Sequence, residues 1–374
     1  MVNTYERLAK YLDALPAGFP PTPEGFELRI LERLFTPPEA ELALHLSLLD
    51  QNVQHVARQA GLGVEETAEL LESMTQKGLI NATHAKEKDT LYGISQFIIG
   101  FYEGQVNRLD VEMAYLFEAY APIWFEKSSW KKVPQLRTIP IKQAISITHE
   151  VLPYMQAEEI LRSNEDIAVR NCVCRQEQQV LGKGCERPIE TCMTFGGAAR
   201  NTVERGIGRM ITQKDALEIL KQAQVSGLVL QPSNSQNPMV LCMCCSCCCG
   251  VLRRIKADPN PGKLVANPFV TQFDYSTCIS CFACVEICPM EALNQDEHGG
   301  IKFAQERCIG CGLCIGVCPN EALELVRRSE LELPRIPRNT FNTYLSLSKA
   351  RGLGNVLSNF WVIFRTLIRQ VFSG

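Results

Sequence analysis

Cys278-Ile-Ser-Cys281-Phe-Ala-Cys284-Val-Glu-Ile-Cys288-Pro289 and Cys308-Ile-Gly-Cys311-Gly-Leu-Cys314-Ile-Gly-Val-Cys318-Pro319 are two copies of one pattern, C-x2-C-x2-C-x3-C-P. A cubane iron–sulfur cluster requires four thiolates converging on one small body. A tight loop aims three of them when they are spaced by two residues, and the fourth must arrive from elsewhere. In this spacing the last cysteine of each run leaves on a short helix and ligates the other cluster. The expected ligand sets are therefore Cys278, Cys281, Cys284 and Cys318 for one [4Fe–4S] cluster, and Cys308, Cys311, Cys314 and Cys288 for the other. A zinc ribbon, the competing use of paired C-x2-C knuckles, binds one tetrahedral ion and does not account for two identical runs of four.

On these residues, the segment from about Asn267 to Arg328 resembles a bacterial-type ferredoxin domain with two [4Fe–4S] clusters. The resemblance covers about a sixth of the chain and leaves the rest to be read on its own. Gly310, Gly312 and Gly316 suit a loop that turns tightly and offers N–H groups to cluster sulfur. The first loop has Ser280, Phe282 and Ala283 in the matching places, so its cluster is expected to be shielded and tuned differently.

A chain of 374 residues is too long for one ferredoxin and divides into two or three domains. Its 46% hydrophobic and 21% charged content lets each of them bury a core. The net charge of −3 is unevenly spread: Leu333 to Gly374 holds six basic residues and no acidic one, which leaves −9 on the remainder. Eighteen cysteines would mean disulfides in a secreted protein. The first ten residues, MVNTYERLAK, have neither an apolar core nor twin arginines, so a reducing cytoplasm is expected, with the thiols serving as metal ligands. So many clusters also point, on chemical grounds, to an anaerobic or microaerobic host.

The expected architecture is multidomain α+β. Residues 1–128 read as helical after a proline-rich lead-in over 1–27. Helices are expected at Val53 to Ala60 and Val64 to Lys77, ended by Gly61 and Gly78, then a hairpin from Leu79-Ile80 to Thr90–Ile94. Three helices followed by a hairpin resemble a winged-helix domain, a fold that often binds DNA. The charges oppose that use: the third helix carries Glu65, Glu66, Glu69 and Glu72 against Lys77 alone, whereas phosphate contact needs Lys and Arg. An aromatic helix is expected from Phe97 to about Phe125, its stripe serving as core.

Residues 129–266 read as a cysteine-rich α/β module. It has a strand at Thr138–Ile141, a helix over Tyr154–Ser163, and Ile167–Val169 leading into Cys172 and Cys174. Cys185 and Cys192 are placed on a loop with Gly182-Lys-Gly184, which is read as a turn, and a helix capped by Thr212 runs to Ala223. Then come Cys242, Cys244, Cys245, Cys247, Cys248 and Cys249, six thiols in eight positions. Strand side chains alternate faces, so only a looped backbone brings four of these to one metal. Three uses of the ten extra cysteines stay open: one or two further iron–sulfur clusters, a tetrahedral zinc with spare thiols, or redox-active or persulfide-carrying thiols. The arrangement is similar to multidomain iron–sulfur proteins of anaerobes that place a cysteine-dense module before a ferredoxin domain.

Residues 267–330 form the ferredoxin domain, and 331–374 a basic linker with a final amphipathic helix over Leu353 to Phe372. Two arginines interrupt that helix, so it is expected on a membrane surface or against protein, not across a bilayer. Functionally, the chain reads as an electron-transfer protein working with redox partner proteins in the cytoplasm, with peripheral contact at the inner face of the membrane through its tail as a further expectation. Two alternatives stand beside it: a reductase whose catalytic metal or thiol site lies in the middle module, and a redox-responsive regulator with the N-terminal domain as reader. No nucleotide or flavin fingerprint and no general acid–base triad is visible.

Overall fold

The computed structural model describes residues 3–83, 89–144, 152–329 and 333–352. Helices Thr4–Ala14, Phe26–Leu34 and Pro37–Ala43 come first. The helix Val53–Ala60 starts where the Asn52 side chain accepts from the His55 amide at 2.9 Å and stops at Gly61, whose φ of 69° only glycine adopts freely. Helix Val64–Lys77 ends the same way at Gly78. Strands β1 (Gln51–Asn52), β2 (Ile80–Thr83) and β3 (Leu91–Ile94) form an antiparallel sheet in the order β1-β3-β2, so the expected hairpin is present.

Two expectations for this part are corrected. The proline-rich lead-in is packed, with Phe19 fully buried and the Pro20 and Gly18 carbonyls accepting from Tyr120 and Trp124, both at 3.1 Å. The aromatic stretch is not one helix. Ile98, Ile99 and Gly100 leave helical geometry, a turn follows at Glu103–Gln105, and the long helix begins at Val111, capped by Asp110. Gly104 lies so close to Gly78 that an added Cβ would sit 2.2 Å from the Gly78 carbonyl, so this chain crossing needs a glycine. The break folds Phe97 back on Phe19, Phe101, Phe117, Tyr120 and Trp124, at ring separations of 5.2–6.0 Å.

The middle of the chain builds a five-stranded antiparallel sheet from β4 (Ile167–Asn171), β5 (Glu190–Phe195), β6 (Gly208–Ile211), β7 (Val229–Pro232) and β8 (Val240–Cys244). Their order is β6-β4-β5-β8-β7. Val169, Met193 and Leu241, all fully buried, point to one face, against which the helix Gln213–Val225 packs. Thr212 and Asp215 cap that helix reciprocally, as expected. Cys192 lies on β5, not on a loop, whereas Cys185 does lie on the loop. The expected strand at Thr138–Ile141 is extended chain holding single bridges beside β7, and the helix expected over Tyr154–Ser163 is Ala157–Arg162. Arg137 is fully buried there and donates to the carbonyls of Ser233 at 2.6 Å, Ser235 at 2.8 Å, and Tyr154.

Beyond it, β9 (Phe269–Phe273) pairs with β12 (Leu323–Arg327), and β10 (Leu293–Gln295) with β11 (Ile301–Phe303). His298 sits in the β10–β11 turn, its amide held by Asp296 at 2.8 Å. One apolar core runs without a break from Leu8 through the middle sheet to Leu313 and Leu325. A helix the sequence reading missed, Thr340–Ala350, packs back on this body through Thr343 to the Asn234 carbonyl (2.7 Å) and an Arg351–Asp13 ion pair. The tail helix expected over Leu353 to Phe372 lies outside the described residues. Among the described residues no helix is long and apolar enough to cross a membrane.

Arg137→Met keeps the volume and strips three buried carbonyls of their donor. The expected loss of stability is about 3 kcal/mol, since each orphaned acceptor costs roughly 1–3 kcal/mol, read as a lower denaturation midpoint at unchanged slope. A midpoint equal to the parent's would remove Arg137 from the account of how the middle module is held.

Candidate metal centres

Each cysteine run of the C-terminal part folds as a loop followed by one turn or so of helix, Ala283–Ile287 and Leu313–Gly316. The loops reach the same backbone shape with different residues. Gly310 and Gly312 have φ of 65° and 74°, and Ser280 and Phe282 hold φ of 52° and 61° in the matching positions. The structure brings Cys278, Cys281, Cys284 and Cys318 around one small cavity, and Cys308, Cys311, Cys314 and Cys288 around another. These are the groups expected from the crossed spacing. Amide groups point at the sulfurs in a repeated way: Ser280 to Cys278 and Gly310 to Cys308, both at 3.4 Å, Ala292 to Cys288 at 3.2 Å and Ala322 to Cys318 at 3.3 Å. Four converging thiols with amide donors fit a cubane at each cavity.

The two cavities differ in their surroundings. Cys281 is exposed, beside Ile279 and Tyr275, which are 58% and 62% exposed. Cys308, Cys311 and Cys314 are buried; the Thr271 amide donates to the Cys308 sulfur and the Cys308 thiol donates to the Thr271 hydroxyl oxygen, both at 3.5 Å. This second loop is pressed against the middle module, where the Ile141 amide donates to the Cys311 carbonyl at 3.1 Å and a Cβ added at Gly312 would stand 2.3 Å from that of Ala144; within the ferredoxin-like part, buried Asn267 donates to the carbonyls of Ile309 and Gly310, both at 2.9 Å. Burial first, and then the charge of Cys281, Cys318 and Cys278, pushes the Cys284 thiol up to about 11.

The ten remaining cysteines divide into six and four, and secondary structure makes the division. β8 ends at Cys244, the next residues form a turn, and Cys249 caps the helix Gly250–Ala257 with its sulfur accepting from the Leu252 amide at 3.5 Å. Cys242 and Cys244 share a strand face. Cys192 lies directly across from Cys242, and Arg170 across from Cys192, so a row forms on one face of the sheet. Cys172 occupies the position before the helix Val173–Val180, as Cys249 does before its own helix, but without a side-chain capping hydrogen bond. Cys172, Cys174, Cys192, Cys242, Cys244 and Cys249 thereby line one cavity of about 810 Å³, counted with its opening.

The opposite wall of that cavity comes from the N-terminal part. Ile98, Phe117, Trp124 and Phe125 make it apolar, so aromatics expected only as core also face this site. The polar groups there were not foreseen. The Tyr102 hydroxyl donates to Glu177 at 2.6 Å and lies 3.5 Å from the Cys174 sulfur, and Arg170 Nε donates to Cys192 at 3.4 Å. Burial pushes the carboxyls of Glu103 and Glu177 up to about 8. Arg170 stays protonated because the thiols of Cys192 and Cys242 and the Glu103 carboxyl outweigh its burial. Thiol-lined, apolar and supplied with a fixed cation, the cavity fits a thiolate-bound metal centre.

Cys185, Cys245, Cys247 and Cys248 form the second group, with all four sulfurs within 4.8 Å of one another. Burial is outweighed at Cys185 by the Arg187 amide and by hydrogen bonds from Cys248, Cys247 and Cys245, which bring its thiol down to about 7. Arg175, fully buried, lies between the two groups. It donates to the carbonyls of Pro188 and Met243 at 2.7 and 2.8 Å, and the charges of Cys172, Cys245 and Cys244 outweigh its burial and hold it protonated.

The unequal loops make a paired test. Ser280→Gly relieves a left-handed backbone that costs a residue with a Cβ roughly 1–2 kcal/mol, so it should raise stability by about 1 kcal/mol. Gly310→Ala drives a Cβ to 2.4 Å from the Phe269 carbonyl and 2.8 Å from Asn267 Nδ2. It should lower stability and hasten iron loss, both followed by denaturant unfolding and the cluster absorbance. Equal effects of the two changes would contradict the described loop geometry.

Compared with known families, residues 271–325 match the family model of the 4Fe-4S dicluster domain. No curated protein and no solved structure matched the chain in these comparisons. The match covers the two cysteine runs and the strands that frame them, and with it the C-terminal part of this chain is a ferredoxin-like 4Fe–4S domain.

Proposed function

We propose that the chain carries single electrons from an external redox partner, through two [4Fe–4S] clusters in series, to a metal centre held by the six thiols of the middle module. The observation that carries this reading is the asymmetry of the ferredoxin-like part. Of Cys278, Cys281, Cys284 and Cys318, taken as ligands of the outer cluster, Cys281 is exposed and Cys278 and Cys318 are half-buried, while Cys308, Cys311 and Cys314 are all buried and their loop lies against the middle module. A cubane accepts one electron, and the protein's share of the work is to place the clusters, exclude water and tune their potentials through hydrogen bonds to sulfur.

The inward connection is short. Helix Gly250–Ala257 begins at Cys249 in the six-thiol cavity, and its eight residues span about 12 Å. Its far end meets Arg307, beside Cys308, whose guanidinium donates to the carbonyls of Lys256 at 2.9 Å and Asp258 at 3.3 Å. We read the N-terminal helices and the small sheet as winged-helix-like, serving as a wall of the cavity. Helix Val64–Lys77 turns Glu65, Glu66, Glu69 and Glu72 outward, which disfavours DNA as its partner.

A second reading, reduction of a substrate inside the cavity, is favoured by one observation. Glu103, Glu177 and Tyr102 bring ionisable groups to an otherwise apolar space. Such groups have a use where protons accompany electrons, and none in a plain relay.

Pulsed reduction of protein purified without oxygen tests the order of the centres. In the parent, the outer cluster should be reduced first and then pass its electron inward. Cys318→Ser should remove the outer cluster, leave the signal of the inner one, and slow reduction of the middle module. Unchanged inward kinetics in that variant would refute the series arrangement, and loss of the inner cluster instead would overturn the crossed ligand sets.

A further inference from the structure

We propose that Cys185, Cys245, Cys247 and Cys248 hold one zinc ion, as a closed tetrahedral site separate from both the dicluster part and the six-thiol cavity. The sulfur spacing carries the argument. Tetrahedral zinc with Zn–S bonds of about 2.3 Å sets its sulfurs about 3.8 Å apart. The Cys185 sulfur stands 3.8 Å from Cys245 and 3.5 Å from Cys248, and Cys247 stands 3.8 Å from Cys248. A cubane places its four thiolates on four separate irons, and sulfurs already meeting each other leave no room for that body between them.

The surroundings complete the site. Four thiolates around a divalent ion leave two negative charges. Arg187 Nη1 donates to the Cys247 sulfur at 3.4 Å, with its Nε fixed on the Ser226 carbonyl at 3.1 Å, and buried Arg175 offsets the charge of Cys245 from the inner side. All four positions are filled by protein, as in structural zinc sites, where no place is kept for water or substrate.

What the ion would do follows from where its ligands lie in the chain. Cys245, Cys247 and Cys248 occupy the turn between β8 and the helix Gly250–Ala257, so they join Cys242 and Cys244 on one side to Cys249 on the other. Cys185 lies on the loop after the helix Val173–Val180, which carries Cys174 and is preceded by Cys172. One ion thus clamps together the segments that supply five of the six cavity thiols, and these four cysteines position that cavity without lining it.

Zinc analysis with X-ray absorption at the zinc edge tests the proposal on the full chain. The parent should hold one zinc per chain in a shell of four sulfurs at about 2.3 Å. Cys247 is exposed, so Cys247→Ser should fold, lose its zinc to a chelator that leaves the parent's in place, and keep the spectrum of the dicluster part. Cys247→His should retain the ion with three sulfurs and one nitrogen. A parent without zinc, iron in its place, or a Cys247→His shell still of four sulfurs would overturn the assignment. The reduced dicluster spectrum reports separately on the electron-transfer reading, which stands or falls without this ion.

Discussion

Thiolates repel one another, and a buried thiolate without a counter-charge is costly. Eighteen cysteines in one chain make this the constraint that the rest of the fold answers. At the ferredoxin-like part the answer is local: backbone amides aimed at sulfur, supplied by loops whose left-handed turns fall on Gly310 and Gly312 in one run and on Ser280 and Phe282 in the other. In the middle module the answer comes from side chains. Arg170 beside Cys192, Arg175 between the two thiol groups and Arg187 on Cys247 are fixed guanidinium charges, each placed by the same strands and loops that place the cysteines.

The same constraint joins the parts of the molecule. The six-thiol cavity is not closed by the middle sheet alone, because that sheet turns its cysteine face toward the N-terminal part. The wall that closes it is the N-terminal aromatic cluster, and the helix Val111–Lys127 is tied to the helix leaving Cys249 by the Glu118–Arg253 ion pair, 2.8 Å at its Nη1 contact. The ferredoxin-like part is docked as well, through Ile141 on the Cys311 carbonyl and Arg307 on the Lys256 carbonyl. Consequently the apolar core is continuous, and relative motion of the parts would open the cavity.

How much of this was legible in the sequence depends on how local the determining physics is. The two cysteine runs carry their spacing within eleven residues each, and the helix stops at Gly61 and Gly78 need only the next residue, so these were readable. The division of Cys242 to Cys249 was not. It depends on β8 ending at Cys244 and a helix starting at Gly250, which register with β5 and β7 decides. Cys192 was misplaced on a loop for the same reason, since its strand is defined by its partners. Glu103 and Tyr102 carry no motif, and they become site residues only because Gly100 and Gly104 break the expected aromatic helix and turn them toward the cysteines. The helix Thr340–Ala350 was hidden by the prolines before it, and its long-range contacts with Asn234 and Asp13 have no signature along the chain.

The central claim is that the six-thiol cavity is a metal centre at the inner end of a chain of clusters. Iron and acid-labile sulfide per chain, measured on protein purified without oxygen, test it most directly. The account predicts iron clearly above the roughly eight atoms that two cubanes hold, with only the excess disappearing when Cys192 and Cys242 are both replaced by serine. About eight irons in the parent, unchanged by that double substitution, would contradict it and leave the cavity to thiol chemistry alone.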